Sequence, residues 1–241
     1  MKTYALIPAR SGSQRIPDKN LALINGHPLL AYSIHTAIAT GVFEKVIVST
    51  DSELISEVAR EYGAYVPKLR PKEISQAMSP DIEWVNLAVN DWLGLDDGEM
   101  VSILRPTNPL RREDTIRDAL KLMRENEIYD SLRAIRPIKE HPSKMWRGNP
   151  NNQIFPFDGS INPVTMTSGH SSPFQTLEKL WIQDASLEIT RVKSLRLHGS
   201  ISGESICGFQ LPGNEGFDIN YPEDLEVVRK LIDFVPIRKT I

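Results

Sequence analysis

An α/β fold with a largely parallel sheet is the architecture that this sequence predicts, on three observations. Apolar strand-like runs alternate with segments of helical period from Met1 to about Ile138, each helical segment carries its own start and stop residues, and no internal repeat interrupts the order. Tyr4 to Ile7 read as a buried strand. Pro28 suits the first turn of a helix whose apolar face is Leu30, Ile34, Ala37 and Ile38, and Gly41 suits the position just past its end. Val46 to Val48 make the next strand. Thr50-Asp51-Ser52-Glu53 matches a capping box, with Asp51 as a helix cap, ahead of an apolar face of Leu54, Ile55, Val58 and Tyr62 and a stop at Gly63.

Ser79-Pro80-Asp81 opens a third helix whose acidic first turn complements the helix dipole and whose Ile82, Val85, Val89 and Trp92 face inward. Met100 to Leu104 form a strand, Ile116, Leu120 and Met123 share the face of a fourth helix, and Ala134 to Ile138 form another strand. From about Lys139 to Leu180 the helical period is lost and prolines, asparagines, glycines and serines dominate. So long an idle loop is uncommon in a compact domain, and its Met145, Trp146, Phe155, Phe157 and Phe174 need an apolar partner. The expectation is one domain over 1–241, with 139–180 an inserted arm that packs on a second subunit. Leu180 to Thr190 resume as a strand, and a helix from Pro222 to about Phe234 presents Leu225, Val228, Leu231 and Ile232 on one face.

Composition narrows the function. A chain of 241 residues, 40% hydrophobic, is long enough to bury a sizeable core. Its net charge of -3 argues against nucleic acid or an anionic membrane as partner, so its cations act locally. A single cysteine, Cys207, excludes an internal disulfide framework and a cysteine-ligated zinc site and suits a reducing compartment. With no apolar run of membrane-spanning length and no charged leader ahead of the first strand, a soluble cytoplasmic protein is expected.

The densest chemistry lies just after the first strand, where Ala9-Arg10-Ser11-Gly12-Ser13-Gln14-Arg15 leads through Ile16 and Pro17 to Lys19 and Asn20. Open α/β sheets bind ligands at the carboxyl ends of their strands. Gly12 permits close backbone approach, Ser11 and Ser13 offer hydroxyl and amide donors, and Arg10, Arg15 and Lys19 bring three positive charges. That composition suits a triphosphate. The segment has neither the G-x-G-x-x-G of dinucleotide folds nor the G-x-x-x-x-G-K-[ST] of P-loop ATPases. His141 and His170 show no metal spacing and no nucleophile triad, and are read as structural or exposed.

Four motifs in order give the chain a resemblance to the acylneuraminate cytidylyltransferases, or CMP-sialic acid synthetases, and to their relatives acting on other bacterial nonulosonic acids. They are the opening Ile7-Pro8-Ala9-Arg10-Ser11-Gly12-Ser13 loop with Arg15, Lys19 and Asn20; Val46-Ile47-Val48-Ser49-Thr50-Asp51; Leu69-Arg70-Pro71 with Pro106-Thr107-Asn108-Pro109-Leu110-Arg111; and Phe217-Asp218-Ile219-Asn220. The resemblance implies a Rossmann-like three-layer α/β/α nucleotidyltransferase fold with a protruding dimerisation arm. It also implies transfer of CMP from CTP to the anomeric hydroxyl of an acidic sugar with release of pyrophosphate. By the same resemblance Arg10, Lys19 and Asp218 are catalytic, and Ala9, Arg10, Ser11, Gly12, Ser13, Arg15, Lys19, Asn20 and Arg70 bind the nucleotide. Lys144 meets the sugar carboxylate, Asp218 and Asn220 stand where the family holds Mg2+, and the resemblance implies a homodimer.

Three positions depart from the family pattern. Gln14 stands where a lysine is usual; a hydrogen bond to a charged group contributes roughly 1.5–3 kcal/mol, so its loss slows the chemistry without abolishing it. Asn220 replaces the second aspartate of the metal pair, and Arg105 replaces a glutamine that touches the sugar. Trp181-Ile182-Gln183-Asp184-Ala185 also replaces an arginine-containing segment, so an acidic sugar other than ordinary N-acetylneuraminate is expected, with Arg105 supplying the carboxylate contact. Two alternatives stay open here: a nucleotidyltransferase using 3-deoxy-octulosonate or another nucleotide, and a catalytically weakened nucleotide-binding regulatory protein.

Overall fold

The computed structural model describes residues 1–232 and 237–239. Thr3–Pro8 form β1, Leu23–Ile24 and His27–Pro28 the short hairpin β2 and β3, Leu29–Ala39 helix α1, Lys45–Ser49 strand β4 and Glu53–Glu61 helix α2. Asp81–Asn86 form α3, which runs on through one π-helical stretch, Leu87–Trp92. Met100–Ile103 are β5, Glu113–Glu125 α4, Ser131–Pro137 β6, Trp146–Gly148 β7, Ile154–Pro156 β8, Trp181–Arg191 β9, Val192–His198 α5, Ile206–Gln210 β10 and Pro222–Leu231 α6. Six strands build the central sheet in the order β10-β6-β9-β5-β1-β4, with β1 parallel to both β4 and β5 and β9 antiparallel to β5.

Strand alternation sorts the core into two layers. On β1, Ala5 and Ile7 face one side, where they join Val46 and Val48 of β4 and the inner faces of α1, α2, α4 and α6. Tyr4 and Leu6 face the other, with Ile47, Val101 and Ile103, under Trp84 and Val85 of α3 and Val192 and Leu195 of α5. Helices on both faces of a mostly parallel sheet make the three-layer arrangement that the sequence predicts. It puts the carboxyl ends of β1, β4 and β5 side by side.

The chain divides into two compact units, Met1–Ala134 with Asp184–Ile241, and Ile135–Gln183. The second unit contains the antiparallel β7–β8 hairpin and short 3-10 turns, so the stretch read as irregular has local order. Within that unit the five apolar side chains named above are all at least 42% exposed.

Several local expectations change. Asp51 does not cap α2. Ser52 is the N-cap, its hydroxyl accepting from the Ile55 amide at 3.3 Å, while Asp51 turns to the loop after β1 and accepts from the Ser11 amide and hydroxyl. Ile38, Leu54 and Leu231 lie at the exposed margins of their helices, at 44%, 57% and 41% exposure, because each apolar stripe is wider than the surface that covers it. The strand expected at Ala134 begins three residues earlier at Ser131. Helix α5 and strand β10 were not anticipated, and the far end of α6, expected near Phe234, lies outside the described residues.

Leu6→Ala, at a fully buried position, is expected to lower the unfolding free energy by about 2–5 kcal/mol. Leu54→Ala, at 57% exposure, is expected to change it by no more than about 0.5 kcal/mol. Urea denaturation curves of the two variants check both values.

Candidate functional site

β1 ends at Pro8, and the loop beyond it is fixed at four points. The Ala9 amide donates to the Ser49 carbonyl at 2.9 Å, Ile16 is buried in the core, Asn20 Nδ2 donates to the Arg10 carbonyl at 3.1 Å, and Asp51 holds Ser11 at 2.7 and 2.6 Å. Burial alone would raise the Asp51 carboxyl, but the Ser11 hydroxyl and amide hold it below the ordinary carboxylate value. Gly12 makes the turn at φ 66°, in the left-handed region where glycine carries no steric penalty. With its backbone held this way, the loop presents its polar side chains to a pocket.

That pocket, about 260 Å³, is lined by Arg10, Ser13, Arg15, Lys19 and Asn20 from the loop, and by Arg70, Asp81, Trp84, Arg105 and Thr107 from beyond it. Five lining cations, Arg10, Arg15, Lys19, Arg70 and Arg105, stand against one lining carboxylate, Asp81. A polyanion is the ligand that such an excess accommodates. Ser11 and Gly12 line an adjoining recess that shares Arg10 and Gln14 with the pocket and adds Lys72. Ala9 is fully buried and contributes through its backbone.

Each cation is held differently. Lys19 Nζ donates to the Ile219 carbonyl at 2.8 Å. Burial lowers its pKa, Asp218 opposes the drop, and Arg15 adds to it. Arg15 is exposed and lies over the Tyr221 ring at 5.3 Å. Arg70 is only 5% exposed and clamps the end of β4, with Nε on the Ser49 hydroxyl at 3.1 Å and Nη2 on the Ser49 carbonyl at 2.6 Å. Burial brings its guanidinium down to about 10, with Asp51 and Asp81 opposing the shift.

Arg105 Nη2 lies 2.5 Å from Asp81 and 2.9 Å from Glu188, so two carboxylates already neutralise it. Glu188 in turn pairs with Arg133. Lys144 belongs to the 135–183 unit, where its ammonium donates to the carbonyls of Ser172 at 2.7 Å and His170 at 3.3 Å.

The 216–220 loop docks beside the pocket through backbone contacts. The Ile219 amide donates to the Thr107 carbonyl at 2.9 Å, and Asn108 Nδ2 donates to the Phe217 carbonyl at 3.2 Å. Asn220 Nδ2 donates to Asp218 Oδ2 at 2.7 Å, whereas Asp218 Oδ1 is buried with no hydrogen-bond partner. A buried carboxylate oxygen left unsatisfied is costly unless a cation or donor completes it. Among the described residues no cluster of three or more His, Cys, Asp or Glu is placed to cage a metal. A divalent ion at Asp218 therefore fits if the ligand's own phosphates supply its remaining oxygens, as magnesium commonly requires.

Sequence reasoning assigned no site role to Asp81, Trp84 or Glu188. Asp81 and Trp84 are spaced i, i+3 on one helix face, and Trp84 Nε1 donates to Asp81 Oδ1 at 2.8 Å. Glu188, like Asp184, is an acid inside the buried run of β9, and a buried acid by itself signals a partner.

Comparison with known proteins agrees with this geometry. The family model described as Cytidylyltransferase matches residues 4–143. The CMP-N,N'-diacetyllegionaminic acid synthase of Legionella pneumophila is 38% identical, over 97% of both chains. The pseudaminic acid cytidylyltransferase of Campylobacter jejuni is 30% identical, over 96% of both. A solved structure of CMP:2-keto-3-deoxy-manno-octonic acid synthetase complexed with CTP superposes with a TM-score of 0.65 at 17% identity, over 96% of this chain and 98% of that one, and so shares the fold.

Because burial places the Lys19 pKa below 10.5, its ammonium loses charge earlier than a free lysine as pH rises. As pH rises, affinity for a nucleoside triphosphate is therefore expected to begin falling at a lower pH in the wild type than in Lys19→Arg. Calorimetric titrations of both proteins over a rising pH series check it; parallel curves would refute the assignment.

Proposed function

Because the chain belongs to the cytidylyltransferase family, we propose that it transfers CMP from CTP to the anomeric hydroxyl of a nonulosonic acid and releases pyrophosphate. The observation that carries this reading is the convergence of five cations on one pocket at the carboxyl end of β1. The attacking hydroxyl loses its proton and bonds to the α-phosphorus as the bond to the departing pyrophosphate breaks. Such a transfer needs little covalent help from protein, so alignment and charge stabilisation supply most of the acceleration. Arg10 and Lys19 hold the triphosphate and the leaving pyrophosphate, with Arg15 at the outer phosphates. Ser11, Gly12 and Ser13 offer donors, Ala9 and Asn20 fix the loop's backbone, and Arg70 serves the cytidine side. Arg105 and Lys144 are the candidates for the sugar.

Magnesium is the ion of this reading, with Asp218 and Asn220 as its protein ligands. The unpartnered Asp218 Oδ1 supports that role. When bound, the ion neutralises phosphate charge; Asn220, holding Asp218 Oδ2 through its amide, orients the carboxylate. The acceptor of this reading is of the legionaminic or pseudaminic class, since the relatives matched along nearly their whole length carry those names. The protein acts as a homodimer in the cytoplasm. The exposed apolar side chains of the 135–183 unit support self-association, and the single free cysteine suits a reducing compartment. No helix among the described residues is long and apolar enough to cross a membrane.

Pyrophosphate release is expected with CTP alone among the four nucleoside triphosphates, with magnesium present, and with a diacetamido nine-carbon acid in preference to N-acetylneuraminate or 3-deoxy-octulosonate. CTP binding without release, under every acceptor, would overturn the catalytic reading. Light scattering is expected to give about twice the chain mass of 27.2 kDa; a single-chain mass at micromolar concentration would overturn the dimer.

A further inference from the structure

Two of the pocket's guanidinium groups share one anchor. Asp81, the first residue of α3, accepts Trp84 Nε1 on Oδ1 at 2.8 Å and Arg105 Nη2 on Oδ2 at 2.5 Å. The Trp84 ring, 1% exposed, lies 5.2 Å from the guanidinium carbon of Arg70, in the range of a cation–π contact. Each lone-pair face of this carboxylate is thus committed to a different arm, one ending at Arg70 and the other at Arg105. Each guanidinium has a second partner as well: Arg70 donates to Ser49, and the same Nη2 of Arg105 that meets Asp81 also meets Glu188.

We propose that Asp81 is a positioning residue that sets the nucleotide side and the acceptor side of the pocket together, through Trp84 to Arg70 and directly to Arg105. The proposal rests on the cytidylyltransferase reading for the meaning of the two sides. Its physical basis is the chemistry of the anchor. A carboxylate has two acceptor oxygens and can serve both arms, whereas an asparagine has one acceptor oxygen and turns a donor toward the other arm. Without the negative charge, Arg70 and Arg105 also lose the group that separates two like charges. Burial would raise the Asp81 carboxyl, but Arg105 holds it below the ordinary carboxylate value, so it remains an anion throughout the working pH range.

The test uses the full chain and separates the arms. Trp84→Phe, which cuts the first arm, is expected to raise the Michaelis constant for CTP about fivefold and leave that for the acceptor within about twofold. Arg105→Gln is expected to do the reverse. Asp81→Asn is expected to raise both about fivefold while kcat stays within about threefold, a split that mere loosening of the fold does not produce. A change in only one Michaelis constant, or in neither, would overturn the proposal.

A second measurement needs neither turnover nor a folded Asp81 variant: calorimetric CTP titrations of wild type, Trp84→Phe, Arg105→Gln and the double variant. Coupling through Asp81 is expected to make the two substitutions non-additive by at least about threefold, and strict additivity would overturn the inference. CTP binding without pyrophosphate release would defeat the catalytic reading while leaving this cycle decisive for Asp81. Failure of the wild type to bind CTP would defeat both.

Discussion

Like charges crowded around one cavity repel, and holding them there before any ligand arrives is the constraint on which the rest of the site depends. The protein meets it with backbone carbonyls and carboxylates. Lys19 leans on the Ile219 carbonyl, Arg70 on the Ser49 carbonyl, and Arg105 on Asp81 and Glu188. Ser49 ends β4, Ile219 lies in a loop docked beside the pocket, Asp81 opens α3, and Glu188 sits within β9 opposite Ile103, the last residue of β5. Preorganisation of this kind means that the cations keep their places without a bound anion.

Parallel pairing of β1 with β4 and β5 is what makes the arrangement possible. It brings the loop after β1, the Ser49–Asp51 corner after β4 and the Arg105–Asn108 corner after β5 to one end of the sheet. The 216–220 loop then joins them through Thr107 and Asn108, and carries Asp218 with it. Asn220 restrains one oxygen of Asp218, while the other is buried without a hydrogen-bond partner. An amide at that position carries less negative charge than a carboxylate and still orients Asp218.

Much of this was legible in the amino-acid order wherever the information was local. The strand of Tyr4 to Ile7, the loop behind it, the helix stops at Gly41 and Gly63 and the inward faces of Leu30, Ile34, Ile116 and Leu120 all follow from short-range periodicity and turn chemistry. What escaped was non-local. Asp51 looks like a cap because it precedes a helix, yet its partner Ser11 lies 40 positions earlier. The carboxylate partners of Arg105, Asp81 and Glu188, stand 24 and 83 positions away. Stripe width escaped for a similar reason: Ile38 and Leu54 keep the helical phase of their neighbours, but the extent of cover is set by elements packed from elsewhere.

The place where the 135–183 unit leaves and rejoins the chain has an evolutionary consequence. It is spliced between β6 and β9, which are hydrogen-bonded neighbours in the sheet. A segment whose two stems arise from adjacent strands can lengthen, shrink or be exchanged wholesale while the ladder beneath stays in register. Changes of length there need not disturb the pairing of the strands that carry the segment.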